Sequence, residues 1–124
     1  MATIVVVDDE PAILSFVVRI LEAAGHTVIG ESDGESALRT AQSKLPDVMV
    51  LDVNLPGLNG LEVCRILKGD EATKDIGIVL MTAAFTSMEE AREGEDSGAD
   101  EYVIKPFLRE VLLHNVERLL TRES

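Results

Sequence analysis

The sequence is poor in three things: cysteine, of which it has one, positive charge, with 11 lysines and arginines against 23 acids, and long apolar runs. A lone Cys64 cannot close an internal disulfide, and it fits a reducing compartment. The formal net charge of −12 argues against a nucleic-acid ligand, because duplex binding needs a basic face that neutralises phosphates. An acidic chain suits a divalent cation or a basic partner surface instead. No apolar run approaches the roughly 18 residues of a membrane span. Met1-Ala2-Thr3 leads into a very short apolar run that ends on Asp8-Asp9, without the basic start and long apolar stretch of a signal peptide. The expectation is a soluble cytoplasmic chain that makes no contact with membrane or nucleic acid.

What is present is an ordinary globular composition, 46% hydrophobic and 27% charged over 124 residues, enough for one domain with its own core. Four apolar runs are too short for helices: Ile4-Val5-Val6-Val7, Thr27-Val28-Ile29-Gly30, Val48-Met49-Val50-Leu51 and Ile78-Val79-Leu80-Met81. Such runs read as strands, three of them buried on both faces. Glu101-Tyr102-Val103-Ile104 makes a fifth. Helical spacing fills the gaps. Pro11 opens the first helix, with Ile13, Leu14, Val17, Ile20 and Leu21 inward and Gly25 as its stop. Ala37, Leu38 and Ala41 mark the second, which Pro46 closes. Leu61, Val63, Cys64, Ile66 and Leu67 mark the third. Met88 to Ser97 is acidic, contains Gly94, and is the weakest helix. The last runs from about Phe107 to Leu120, with Leu108, Val111, Leu112, Val116, Leu119 and Leu120 on one face. Five strands alternating with five helices call for a doubly wound parallel α/β sheet over residues 1–124, and the right-handed crossover rule is expected to alternate the helices between its faces.

The residues that end these strands share one edge of such a sheet, the edge where ligands bind. The first strand ends on Asp8 and Asp9, the third on Asp52, the fourth on Thr82 and the fifth on Lys105. Taken singly, the acids would be helix N-terminal charges or turn residues, Thr82 a cap and Lys105 a solvated cation. Together they describe chemistry. Two carboxylates about 4 Å apart repel by roughly 4 kcal/mol at an effective dielectric near 20, and three of them with one ammonium leave two negative units. A hard divalent cation relieves that, and Mg²⁺ takes carboxylates, waters and a phosphate oxygen. Thr82 and Lys105 are side chains that bind phosphoryl oxygens, and a carboxylate can itself be a nucleophile. The cluster reads as metal-assisted phosphoryl transfer onto an aspartate.

Asp8-Asp9, Asp52-Val53-Asn54-Leu55-Pro56-Gly57, Thr82-Ala83 and the run Gly98 to Phe107 resemble the receiver domain of two-component response regulators, in order and over essentially the whole chain. The resemblance implies the flavodoxin-like strand order 2-1-3-4-5, an order for which a chemotaxis member of the family is a standard example. It implies that Asp52 accepts a phosphoryl group from a phosphohistidine on a histidine kinase or histidine phosphotransfer protein. Asp9, Asp52 and the Asn54 carbonyl would hold Mg²⁺, with Asp8 helping through water. Lys105 would pair with a phosphoryl oxygen, Thr82 would swing in to bond another, and Tyr102 would follow it as an aromatic switch. Asn54 and Ala84 occupy the two positions that tune dephosphorylation; Ala83 and the Lys105-Pro106 peptide, cis in the family, flank the site. Leu55, Asn59 and Gly77 depart from the usual residues, and Gly77 is expected to loosen the start of the fourth strand.

A second function class is a Mg²⁺-dependent phosphohydrolase working through an aspartyl phosphate. Such enzymes often carry a general acid two residues after the nucleophile, and Asn54 cannot serve as one. A third is a binding module with a vestigial acidic pocket; no missing Asp, Thr or Lys favours it. The responsive surface is expected on the fourth helix, fifth strand and last helix. There a downstream effector, an output domain, or a second phosphorylated copy would dock, although the sequence itself carries no output domain. Phe16 and Val18 are expected to form a docking patch for the phosphodonor. Cys64 is expected in the core, and His26 and His114 on the surface.

Overall fold

The computed structural model describes residues 2–83, 92–94 and 96–122. Five strands, β1 (Thr3–Val7), β2 (Thr27–Glu31), β3 (Val48–Asp52), β4 (Gly77–Thr82) and β5 (Glu101–Ile104), form one sheet. It is wholly parallel and runs in the order β2-β1-β3-β4-β5. The helices with full bounds are α1 (Pro11–Ala23), α2 (Gly34–Lys44), α3 (Gly60–Lys68) and the C-terminal helix (Arg109–Thr121). Residues 92–94 and 96 are also helical and Ser97 follows them in a turn, the described part of the segment read as the weakest helix; residues 88–91 and 95, and Ala84, lie outside the described residues.

The helices do not alternate one by one between the faces. Val17, Ile20 and Leu21 of α1 and Leu112, Val116 and Leu119 of the C-terminal helix cover one face, over Ile4, Val6, Val48, Val50 and Val79. Ala37 and Ala41 of α2 and Val63, Cys64 and Leu67 of α3 cover the other, over Val5, Val7, Met49, Leu51 and Leu80. The crossover rule fixes handedness, so the face depends on the direction in which the chain steps across the sheet. The step β1 to β2 goes one way, and β2 to β3 and β3 to β4 both go the other. Hence α2 and α3 share a face.

Alternate side chains of each strand reach opposite faces, and both faces are covered, which is why β1, β3 and β4 are uninterrupted apolar runs. Sequence chemistry also sets the helix ends. Pro11 occupies the first turn of α1, and Asp33 caps α2 by accepting from the Ser36 N–H at 2.7 Å. Asn59 and Glu62 form a reciprocal capping box on α3, at 3.0 Å in each direction. Leu45, at φ 48°, ends α2 in a left-handed conformation, one residue before the Pro46 that was expected to close the helix.

Several expectations about faces are corrected. Ile66 is exposed on α3, because that helix buries only the stripe at Val63, Cys64 and Leu67. Leu108 and Val111 are 69% and 45% exposed: Leu108 precedes the C-terminal helix as its N-cap, and Leu112, Asn115, Val116 and Leu119 form the buried stripe. His26 is not a surface residue, since its side chain is 7% exposed and its Nδ1 accepts from the Ala2 N–H at 3.3 Å. Gly77 pairs with Val48 at the start of β4, and that start is held by the Gly77 N–H on the Asp47 carbonyl at 3.1 Å. Cys64 is buried and His114 exposed, as expected.

Candidate functional site

Register delivers the site. Val7 lies beside Leu51, so Asp8, next in the chain, emerges beside Asp52 at the carboxyl edge. Asp52 lies beside Met81, and Thr82 beside Ile104, which sets Lys105 one residue past the edge. The Lys105 N–H closes the corner on the Thr82 carbonyl at 2.7 Å. The Lys105–Pro106 peptide is cis.

The carboxylates converge. Asp8, Asp9 and Asp52 each offer an oxygen, all within 4.8 Å of one another, with Asp8 and Asp52 buried and Asp9 exposed. Lys105 Nζ lies 3.1 Å from Asp8 Oδ2 and 3.3 Å from Asp52 Oδ1, and is the one ammonium among them in the described residues. The other oxygen of Asp8, Oδ1, accepts from the Glu10 N–H at 2.9 Å. Sequence reasoning gave no sign of that backbone donor, because any residue could supply it. Asp8 is therefore held from two sides, Asp52 meets Lys105 and the Asn54 N–H, and Asp9 and Asn54 are exposed at the mouth.

Charge follows geometry. Burial raises the Asp52 carboxyl above the ordinary range, Lys105 pulls it back, and the Asp8 charge adds to the rise. Burial works against the Lys105 ammonium, yet Asp52 and Asp8 outweigh it and hold its pKa above the usual lysine value. A hard cation with oxygen ligands fits this donor set: three carboxylates, no nitrogen or sulfur, and one face open to solvent at Asp9.

The remaining expected residues surround this cluster. Thr82 is buried at the end of β4, Ala83 is exposed beside it, and Pro106 is exposed past Lys105. Tyr102 packs against the face that α2 and α3 cover, and its hydroxyl donates to the Gly94 carbonyl at 2.6 Å. Phe16 is exposed on α1 and lines an apolar cavity of about 370 Å³ with Ile13, Lys105, Pro106 and Phe107. Val18 takes no part in that lining; it packs on the core, so the apolar surface at Phe16 is shared with Phe107 and not with Val18.

Comparison with known proteins agrees with this geometry. A family model described as the response regulator receiver domain matches residues 4–117. The DNA-binding dual master transcriptional regulator RpaA of Synechocystis sp. (strain PCC 6803) is 40% identical over 122 residues, covering 98% of this chain and 50% of that protein. The alkaline phosphatase synthesis transcriptional regulatory protein PhoP of Bacillus subtilis is 40% identical over 121 residues, covering 98% and 49%. The chain thus spans about half the length of the curated relatives it matches. Among solved structures, the chemotaxis response regulator CheY4 of Vibrio cholerae superposes with a TM-score of 0.88 at 35% identity, covering 96% of this chain and 98% of that one. No described helix is long and apolar enough to cross a membrane. The strand order, the acidic edge and the match over residues 4–117 lead to one conclusion: this chain belongs to the response regulator receiver domain family.

Proposed function

We propose that the domain is a Mg²⁺-dependent phosphoacceptor switch, and that Asp52 takes a phosphoryl group from a phosphohistidine on a histidine kinase or phosphotransfer protein. The observation that carries this reading is the shared pocket of Asp8, Asp9 and Asp52 with Lys105 bridging Asp8 and Asp52. In the transfer, an Asp52 oxygen forms a bond to phosphorus as the P–N bond of the phosphohistidine breaks, and the imidazole leaves with the electron pair. When bound at Asp9, Asp52 and the Asn54 carbonyl, Mg²⁺ supplies positive charge against the incoming phosphoryl oxygens. Lys105 offers a second positive charge beside Asp52. Asp8 keeps Lys105 in place, and it is itself kept by the Glu10 N–H.

The same atoms make the output. A phosphoryl group on Asp52 competes for Lys105 and draws the Thr82 hydroxyl, favouring the conformer in which both engage it. Thr82 and Lys105 are joined through the backbone corner at 2.7 Å, and Tyr102, on the strand that leads to that corner, donates its hydroxyl to the Gly94 carbonyl. A pull at the pocket therefore reaches the 92–98 segment, β5 and the C-terminal helix, where Ile104, Leu108 and Val111 present an exposed apolar surface to a downstream effector, an output domain or a second copy. Asn54 and Ala84 would set the lifetime of the phosphorylated state, with Ala83 flanking the site. The apolar cavity at Phe16 is where the phosphodonor would rest. Intact-mass analysis after incubation with acetyl phosphate tests the reading. One adduct should form on wild type with Mg²⁺, and none with EDTA or on Asp52→Asn. Turnover of the donor with no adduct at any time would favour a hydrolase instead.

A further inference from the structure

Two helices of this domain begin on glycine, and both glycines press on the loop that follows the acceptor. Gly34 opens α2 and Gly60 opens α3. A Cβ on Gly34 would stand 2.0 Å from the Leu58 carbonyl oxygen, and one on Gly60 would stand 2.1 Å from the Asp52 carbonyl oxygen. Neither glycine has positive φ, so the constraint is close approach rather than backbone conformation. The loop is gripped at its two ends, at Asp52 by α3 and at Leu58 by α2.

The two grips are not equivalent. The Leu58 end is separated from the acceptor by exposed Asn54, Pro56 and Gly57, which can absorb a displacement. The Asp52 end cannot. Asp52 pairs with Met81, the Val53 N–H donates to the Met81 carbonyl at 3.0 Å, and the Gly60 N–H donates to the Val53 carbonyl at 2.9 Å. A methyl at position 60 would also meet the Asp52 carbonyl carbon and Val53 Cα at 2.9 Å. Either the last residue of β3 shifts by about 1 Å, or α3 backs off by as much and takes the Val53–Asn59 loop with it. Both outcomes move the Asp52 carboxylate relative to Asn54.

We infer that Gly60 is a positioning residue: the bare α3 N-terminus against the Asp52 carbonyl sets the acceptor carboxylate and the Asn54 backbone at the spacing that one divalent cation requires. The inference rests on the phosphoacceptor reading for its consequence and on the glycine contacts for its cause. A displacement of that size exceeds what a preorganised site tolerates.

The test compares wild type, Gly60→Ala and Gly34→Ala, two variants with near-identical backbone clashes and different distances from the acceptor. Calorimetric titration with Mg²⁺ alone, and backbone amide exchange in metal-free protein, are the readouts. Gly60→Ala should weaken Mg²⁺ binding about tenfold to a hundredfold and speed amide exchange across Val53–Asn59. Gly34→Ala should lose thermal stability while binding Mg²⁺ as wild type does. Equal weakening by both variants, or a Gly60→Ala protein that binds as wild type, overturns the inference. If Gly60→Ala is unfolded in plain buffer, all three proteins are compared in trimethylamine N-oxide, which favours the compact state. Wild type that takes up no Mg²⁺ refutes the phosphoacceptor reading instead, and the metal-free exchange across Val53–Asn59 still decides the role of Gly60.

Discussion

Removing the ammonium of Lys105 should have consequences of opposite sign for stability and for metal binding. In Lys105→Met the stem is kept and the charge is lost. Asp8 and Asp52, both buried and previously 3.1 and 3.3 Å from Nζ, are left facing each other with no cation. Breaking a buried pair by deleting one partner costs about 3–5 kcal/mol. The lower end applies here, because Lys105 retains some solvent exposure and burial already raises the pKa of the Asp52 carboxyl. A loss of about 3 kcal/mol corresponds to about 12 °C in Tm for a domain of this size. In EDTA at pH 7 that fall should appear in thermal unfolding followed by circular dichroism. Saturating Mg²⁺ should restore part of it, since the cation replaces the missing positive charge. Calorimetry should then show Mg²⁺ binding tighter than in wild type by about tenfold, equivalent to about 1.4 kcal/mol, while adduct formation from acetyl phosphate slows. Lowering the pH to 5 should narrow the stability gap, as a protonated carboxyl no longer needs the ammonium. A variant as stable as wild type in EDTA, or one no better rescued by Mg²⁺ than wild type, would show that Lys105 is not the counter-charge of this cluster.

Three further outcomes follow from the same coordinates. The pKa of Asp52 is raised, first by burial, so its ionised form is a burden on the metal-free fold at neutral pH; Asp52→Asn should melt higher than wild type in EDTA, and a lower Tm would refute this. Burial lifts the Asp100 carboxyl, yet the Ile78 N–H, Lys68 and Arg122 outweigh it and hold its pKa below the usual value. Its stabilisation is present above the unfolded carboxylate value near about 3.9 and is lost as pH falls through the lower folded value, so Asp100→Asn should be destabilised at pH 7 and approach wild type under acid, as seen in urea titrations. If the phosphodonor rests in the apolar cavity beside Pro106 and Phe107, as proposed, Phe16→Ala should slow transfer from a histidine kinase more than from acetyl phosphate; equal slowing would remove that cavity from the account.

What the sequence disclosed and what it concealed have physical reasons. The strands around the site were legible because β1, β3 and β4 are covered on both faces, so Val5-Val6-Val7, Met49-Val50-Leu51 and Val79-Leu80-Met81 carry no polar interruption. The residues that end those runs could then be placed on one edge before any coordinates existed. Helix faces were harder. Ile66, Leu108 and Val111 fit an apolar stripe by spacing, yet spacing does not report how wide a stripe the neighbouring sheet can cover. His26 was expected on the surface, and the Ala2 N–H that meets its ring comes from a distant part of the chain. Asp100 gave no local sign of its partners, since Lys68, Ile78 and Arg122 arrive from three separate elements. Gly34 opens a helix against the Leu58 carbonyl, a contact that no residue spacing announces. Contacts made by backbone atoms leave the weakest trace in composition.

The central claim is that one particular carboxylate is the acceptor, and reduction of an acyl phosphate identifies it directly. After incubation with acetyl phosphate and Mg²⁺, borohydride converts a phosphorylated aspartate to homoserine, which peptide mass spectrometry locates. Homoserine should be found at position 52 alone, and nowhere in protein treated with EDTA. Homoserine at Asp8 or Asp9, or its absence from every position while donor is consumed, would contradict the account.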